Sequence, residues 1–406
     1  MRYDAVVIGA GVAGLTAATR LAEGGARVCV LAKGVGSTHL APGTVDVLGY
    51  DDGARVESPA LALPEFVSAH PEHPYALVGV DSIAPAVDWF AGRVPGYVGS
   101  LGRNLLLPTA VGAARPSALV PSSMAAGALD DSAPVCVVGA RVLRDFHAAL
   151  CAANIDGRSL ELDLDVGRAE ANALGLARWM ERPTFRAALA AQLAPQLREG
   201  ERVGFPAILG LRDHARVVAD LEQRLERKVF EIPTLPPSVP GMRVYDALRA
   251  ALRSAGGRLV IGSEVTGASR DGSRVTAVHA HASGHDQVYE ARWVVVATGG
   301  MTSGALTLGS DWQARDTVLD LPLRGAPSDG QARFNEDYFG DQPLNRMGIA
   351  VDSSLIAAGT ENVLVAGAAL PGAVPWREGS GEGISITTGF GAAKTVLEHE
   401  GVATAA

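Results

Sequence analysis

Residues 3–34 read YDAVVIGAGVAGLTAATRLAEGGARVCVLAKG. Ala5-Val6-Val7-Ile8 is a short apolar run, as expected of a strand buried on both faces. Gly9 to Gly14 form a glycine-rich turn. Val12 to Glu23 carries the apolar spacing and alanine content of a helix. Gly24-Gly25 stops it, and Arg27 to Leu31 is a second strand. The stretch is a βαβ unit, and its turn is Gly9-Ala10-Gly11-Val12-Ala13-Gly14. Gly9 permits the tight turn, Gly11 lets backbone approach a phosphate, and Gly14 lets the helix pack on the strand. In this strand–turn–helix context the glycine pattern points to a nucleotide cofactor. The competing reading is a plain tight turn.

The second strand should end in an acid that bonds the adenosine ribose. It ends Leu31-Ala32-Lys33-Gly34, so Ala32 stands where that acid is expected. Two options follow: a shorter flavin such as FMN, or FAD with its ribose held by other groups. Lys33 can meet a phosphate or stay solvated.

Outward from this unit the pattern loosens and then returns. Residues 50–235 are proline-rich and mixed, with helical stretches at Phe146–Ala153 and Arg216–Leu225. Glu231 to Gly241 holds prolines at 233, 236, 237 and 240, which excludes helix or central strand and suggests a rigid connector. Regular patterning resumes with a helix at Val244–Ala255 and a strand at Arg258–Val265. A hairpin follows at Arg274–Ala282 and Gln287–Ala291, then a strand at Trp293–Ala297 ending in Thr298-Gly299-Gly300. Residues 301–345 are irregular. Asn362–Ala366 is a last strand ending at Gly367, and Gly383–Leu397 is a last helix. Arg377-Glu378-Gly379-Ser380-Gly381-Glu382-Gly383 leads into that helix, whose N–H groups can face the negative end of a flavin ring.

The expected fold class is α/β: a Rossmann-like FAD/NAD(P)-binding fold split in sequence, with an inserted α+β cap or substrate domain. The flavin-binding parts are 1–49, 236–300 and 346–406. The inserted parts are 50–235 and 301–345.

Composition bounds the function. Glycine numbers 48 of 406 residues, against roughly 7% in an average protein. Net charge is −9, with 35 basic and 44 acidic residues. No basic stripe is present, so nucleic acid is not an expected partner. No apolar run reaches the ~18 residues of a membrane span. The opening residues lead into a strand and not a secretory signal, so the expected compartment is the cytoplasm. Cys29, Cys136 and Cys151 are the only cysteines. They supply neither a disulfide framework nor the four thiolates of an iron–sulfur cluster. Redox work in this chain therefore needs an organic cofactor. His279, His281 and His285 cluster on the hairpin, but no second ligand set accompanies them, and no metal site is expected.

The three blocks Gly9–Gly14, Val294–Gly300 and Gly367–Gly391, in this order, resemble the glutathione-reductase-like flavoproteins of the fumarate reductase and glycerol-phosphate dehydrogenase branch. Ser37-Thr38-His39-Leu40-Ala41-Pro42-Gly43-Thr44-Val45-Asp46-Val47-Leu48, Phe230–Gly241 and Arg377–Gly381 are more specifically similar to the B subunits of anaerobic glycerol-3-phosphate dehydrogenases. The resemblance spans nearly the whole chain and fits the missing acid at Ala32. It implies oxidation of sn-glycerol 3-phosphate to dihydroxyacetone phosphate together with a second flavoprotein subunit, A. An iron–sulfur subunit, C, passes the electrons to membrane quinone. It also implies FMN as cofactor, with FAD the alternative. The chain would then meet the inner face of the cell membrane only through its partners.

The site residues follow. Gly9, Gly11, Gly14, Lys33, Ser37, Thr38, Gly43, Thr298, Gly299, Gly367, Gly379, Ser380 and Gly381 are expected to hold the cofactor. His39 is expected as a base or flavin contact, because the resembling loop faces the flavin ring. Arg377, in its glycine-rich setting, is the second expected catalytic residue. A phosphorylated small-molecule substrate calls for forked arginine donors, and Arg115, Arg315 and Arg346 are placed for that role. Two other readings stay open: a stand-alone flavin dehydrogenase or reductase of a small acid, and a non-catalytic scaffold subunit with a degenerate nucleotide site.

Overall fold

The structure, a computed structural model, describes residues 2–167, 170–282, 284–327 and 331–401. Its main sheet has seven strands. In space they run Arg258–Ile261, Val28–Ala32, Arg2–Ile8, His285–Val296, Arg274–Ala282 and Ser263–Asp271, and Val363–Val365 pairs alongside His285–Val296. The first four and Val363–Val365 are mutually parallel. The other two form antiparallel ribbons. Ile8 lies beside both Leu31 and Val296, and Val296 lies beside Val365. Four strand ends therefore open along one edge, where parallel α/β sheets take their ligands.

The chain makes this arrangement because the strands are continuous buried apolar runs: Ala5–Val7, Val28–Leu31 and Val294–Val296 are all solvent-shielded. Helices Val12–Glu23 and Gly381–His399 cover one face and pack on each other. A Cβ on Gly389 would sit 2.4 Å from the Ala13 carbonyl, so this contact needs glycine. Asn362 ties the ribbon to the last strand. Its side chain donates to the Val275 and Arg292 carbonyls at 2.7 Å each and accepts from the Val275 N–H at 2.9 Å.

Several element expectations change. The strand expected at Arg258–Val265 breaks at Gly262, whose φ of +79° turns the chain. The separate strands expected at Gln287–Ala291 and Trp293–Ala297 are one twelve-residue strand, His285–Val296. The helix expected from Val244 starts at Val239. Ser238 Oγ accepts from the Gly241 N–H at 3.1 Å, and Pro240 sits in the first turn, where a missing N–H costs nothing. The proline block is thus a short connector and a helix start.

The largest change lies within 50–235. That stretch contains a regular four-stranded parallel sheet, in the order Arg158–Leu162, Val135–Ala140, Arg202–Pro206, Val229–Ile232. It has its own core, which includes Val137, Leu176, Phe205, Leu221 and Phe230. Helices Ala148–Asn154 and His214–Leu225 stand near their expected places. Helices Pro59–Ala69 and Ile83–Arg93 instead join the main core through Leu63, Phe66, Ile83 and Phe90.

The two cores meet at the helix Val239–Ser254. Its Arg243 forms a bidentate pair with buried Glu231 of the second sheet, at 2.6 and 2.9 Å. Its Gly241 lies so close to the loop after the second main strand that a Cβ would stand 2.0 Å from the Thr38 carbonyl. The Ser238 N–H also donates to the His39 carbonyl at 2.8 Å.

Candidate functional site

A cavity of about 460 Å³ opens on the four converging strand ends. Its floor is the turn Gly9–Ala13. Gly9 has φ +113°, and a Cβ there would meet the Ala297 carbonyl at 2.2 Å. A Cβ on Gly14 would meet the Gly9 carbonyl at 2.1 Å. These two glycines are required by the protein's own packing. Gly11 differs: a Cβ there meets nothing within 4 Å and points into open space. It is also the N-cap of the helix Val12–Glu23, with no side chain capping it. A helix start whose N–H groups face a cavity is an anion site in waiting.

Lys33, Ser37, Thr298, Gly299 and Gly367 join Gly9 and Gly11 in lining the cavity. Thr298 Oγ1 is buried there without a hydrogen-bond partner. A buried orphan hydroxyl costs about 1–3 kcal/mol, and a bound ligand's polar group can remove that cost. Ser263, which sequence reasoning missed, lines the cavity beside Ala32. Lys33 is largely exposed and pairs with Glu264 at 2.6 Å. The cavity's size and its few convergent polar groups suit a nucleotide-like ligand.

Thr38 and Gly43 lie behind this cavity. They line a narrow gap of about 10 Å³, and Val12 faces both spaces. Glu382 stands in the gap, on the first turn of the last helix. Burial, and then the Asp46 carboxylate, push the Glu382 carboxyl up to about 7, with Arg115 opposing. Sequence reasoning missed this group, because nothing local marks a glutamate that tertiary packing will bury.

The remaining expected residues are placed elsewhere. Gly379, Ser380 and Gly381 lie outside the cavity. The Ser380 hydroxyl donates to Glu378 at 2.8 Å, and Gly379, at φ +60°, packs on Gly49. The last helix directs the Gly383 N–H at the Asp46 carbonyl. His39 stands edge-on to the Tyr245 ring, with centroids 5.0 Å apart. Burial lowers its pKa, with Asp246 opposing, so its imidazole is neutral at pH 7.

Arg115 is spent on buried Asp46, to which its Nε donates at 2.7 Å. Arg315 pairs with Asp311 on an exposed hairpin. Arg346 and Arg377 do come together, in a separate cavity of about 490 Å³ that also holds Asp51, Asp52 and Asp341. Arg346 donates to the Gly372 carbonyl at 2.9 Å, and Arg377 to the Phe339 carbonyl. No residue lines both this cavity and the one over Gly11. Of the hairpin histidines, His279 bonds Ser269 at 2.7 Å and His281 bonds Asp286 at 2.9 Å. Among the described residues no histidine, cysteine or carboxylate cluster could hold a metal.

A parallel sheet with a glycine turn at its ligand edge, a helix start open to a cavity and an orphan hydroxyl define a nucleotide-binding α/β protein. Residues 4–384 match the FAD binding domain family. The chain is 35% identical to the B subunit of the probable anaerobic glycerol-3-phosphate dehydrogenase of Halobacterium salinarum, over 97% of this chain and 98% of that one. It is 33% identical to the B subunit of the anaerobic glycerol-3-phosphate dehydrogenase of Pectobacterium atrosepticum, over 98% and 99% of the two chains. The chain belongs to the family of anaerobic glycerol-3-phosphate dehydrogenase B subunits, within the wider FAD binding domain family. Among solved structures, the quinol fumarate reductase FrdA of E. coli aligns with a TM-score of 0.48 at 10% identity, covering 100% of this chain and 72% of that one. The cofactor class is a flavin, and the relatives' names place them in multi-subunit enzymes. Among the described residues no helix is long and apolar enough to cross a membrane.

Proposed function

We propose that this chain is the flavin-bearing B subunit of a quinone-linked dehydrogenase that oxidises sn-glycerol 3-phosphate to dihydroxyacetone phosphate. The A and C subunits of the same enzyme would be its partners, carrying the second flavin site and the iron–sulfur relay to quinone. The chain would work in the cytoplasm and reach the membrane face only through them. The observation that carries the reading is the cradle at Gly11, open where neighbouring glycines are packed shut.

FAD is favoured over the FMN expected from the sequence, since the match is to an FAD binding domain. The cavity of about 460 Å³ extends from Gly11 past Ala32 and Ser263, which leaves room for an adenosine end. Backbone N–H groups of Gly11 and the first helical turn would hold its phosphates, and the Thr298 hydroxyl would take a further polar contact. When bound, a flavin supplies the acceptor for the hydride leaving the alcohol carbon. The chain's own task is to place the alcohol, exclude water and take the hydroxyl proton. His39, neutral and half-buried, is suited to hold that proton. We assign the four-stranded sheet and the stretch 301–345 to the substrate-covering part.

The test is the spectrum of the purified chain, followed by acid release of its cofactor and identification by mass. FAD supports the reading. FMN keeps the flavoprotein and removes the adenosine contacts. A colourless chain that takes up neither flavin overturns it.

A further inference from the structure

Three carboxyl groups gather where the last helix begins. Asp46 accepts from the Thr44 hydroxyl at 2.8 Å, the Ser117 hydroxyl at 2.6 Å and the Arg115 guanidinium. Glu378 accepts from the Ser380 hydroxyl at 2.8 Å and the Val374 N–H at 2.7 Å, and it bonds His73 at 3.2 Å. Both groups are committed to holding loops together. Glu382 is the exception. Among the described residues no other residue hydrogen-bonds its carboxyl and no cation forms an ion pair with it. Arg115 attracts it only at longer range and is itself held by Asp46.

Its place in the fold ties it to the cofactor side. Glu382 stands on the first turn of the helix Gly381–His399, with Ser385 and Ile386 three and four residues on, so the three share a face. Ser385 lines the cavity over Gly11, Ile386 lines the narrow gap with Glu382, and Val12 lines both. The Thr38 hydroxyl, in the wall of the gap, is buried without a partner. The other charged and titratable groups that act on Glu382 are Asp46 and Arg115, and it acts in turn on Tyr97 and Tyr75. Those two hydroxyls donate to the Gly43 and Val47 carbonyls, and burial pushes both phenols up, so neither releases its proton near pH 7. Glu382 is thus the member of this cluster that is free to gain or lose a proton. Its pKa of about 7 suits both directions. The residue as a whole keeps partial exposure, which leaves a way in for a solvent proton.

We propose that Glu382 takes up one solvent proton when the bound flavin is reduced and returns it when the electrons leave, so that negative charge does not build up beside Asp46. The inference rests on the flavoprotein reading above, and it is separate from the hydroxyl proton assigned to His39. The step balances. A hydride from the alcohol carbon brings two electrons and one negative charge to the cofactor cavity. One proton from water converts the Glu382 carboxylate to the carboxylic acid, and the charge of the site is unchanged. When the two electrons pass to the partner subunits, the carboxylic acid gives its proton back to water. The cause is electrostatic: a new negative charge in the adjacent cavity raises the proton affinity of a nearby carboxylate.

The test joins two measurements on the full chain. In flavin-stripped protein, the infrared band of a protonated carboxyl should titrate away with a midpoint of about 7. Glu382→Gln, which keeps the shape of the neutral acid, should lack that band. Asp46→Asn should move its midpoint to lower pH, since Asp46 is a charge that raises it. In flavin-loaded protein, the midpoint potential is followed against pH. Each proton taken up with two electrons lowers the potential by about 30 mV per pH unit. Near pH 8 the slope of the parent should exceed that of Glu382→Gln by one such proton. Equal slopes in the two loaded proteins overturn the inference, as does a band that survives in Glu382→Gln. A chain that takes up no flavin fails differently: it overturns the flavoprotein reading, and this inference with it, whatever the infrared band shows.

Discussion

Replacing Gly11 with valine separates folding from cofactor binding at a single position. Gly11 has φ −76° and ψ −177°, extended backbone that any residue adopts, and a Cβ there meets nothing within 4 Å. Glycine is preferred over valine at a helix N-cap by on the order of 1 kcal/mol. Unfolding of the cofactor-free variant should therefore stay within about 1.5 kcal/mol of the parent. Flavin binding should respond differently. Valine would put its methyl groups where phosphate oxygens must approach the N–H groups of the first helical turn. Hydrogen bonds to a charged partner are worth about 1.5–3 kcal/mol each, so losing one or two of them weakens flavin binding at least about tenfold. The assay is a fluorescence-quenching titration of flavin into stripped protein, beside urea unfolding of the same samples. Gly14→Ala is the contrast: its Cβ would lie 2.1 Å from the Gly9 carbonyl, and it should lose the fold itself. The reasoning is refuted if Gly11→Val binds flavin as the parent does, or if the stripped variant loses more than about 2 kcal/mol.

Three further outcomes follow from the same geometry. Glu382 has its pKa raised from 4.5 to about 7, so the folded state prefers the neutral form. Stability is whole below pH 4.5, falls as pH rises toward 7 and levels off above it. Glu382→Gln should remove that loss, a gain of at most about 3 kcal/mol at pH 8 and almost none at pH 4; a gain independent of pH would show that Glu382 does not titrate in this window. Asn362→Ala leaves the Val275 and Arg292 groups unpaired at a fully buried position and should cost about 2–4 kcal/mol, read as a lower urea midpoint with unchanged slope. Arg315→Ala removes an exposed pair with Asp311 and should move stability by less than about 1 kcal/mol and leave flavin binding as it is; a loss of flavin would show that the hairpin reaches the site.

The legible parts of the sequence are those where one stretch decides its own structure. Ala5 to Leu31 needed no distant partner to be read, because a doubly buried strand, a glycine turn and an alanine-rich helix each carry local signals. Asn362–Ala366 and Gly383–Leu397 were legible for the same reason. The four-stranded sheet was not. Its strands are four to six residues long and carry Gly139, Gly204 and Pro206, and Arg202 is buried inside one of them. Arg202 reads as a surface residue until the carbonyls of Ala126, Ala128, Asp131 and Ala133 converge on its guanidinium.

The same distinction explains the site. Gly9, Gly11, Thr298, Gly299 and Gly367 come from three distant blocks, yet each ends or follows a legible strand, so parallel pairing brings them to one edge. The arginines carried no such constraint. Arg115 and Arg315 found carboxylates. What decides an arginine's availability is whether a carboxylate reaches it, and that depends on tertiary packing. Arg243 shows this: Glu231 of the second sheet is buried within its reach and takes a bidentate pair. The glycine-built part of the candidate site is therefore written in backbone conformation, which sequence reveals through glycine. Which arginines stay free is decided by packing, which only the folded chain discloses.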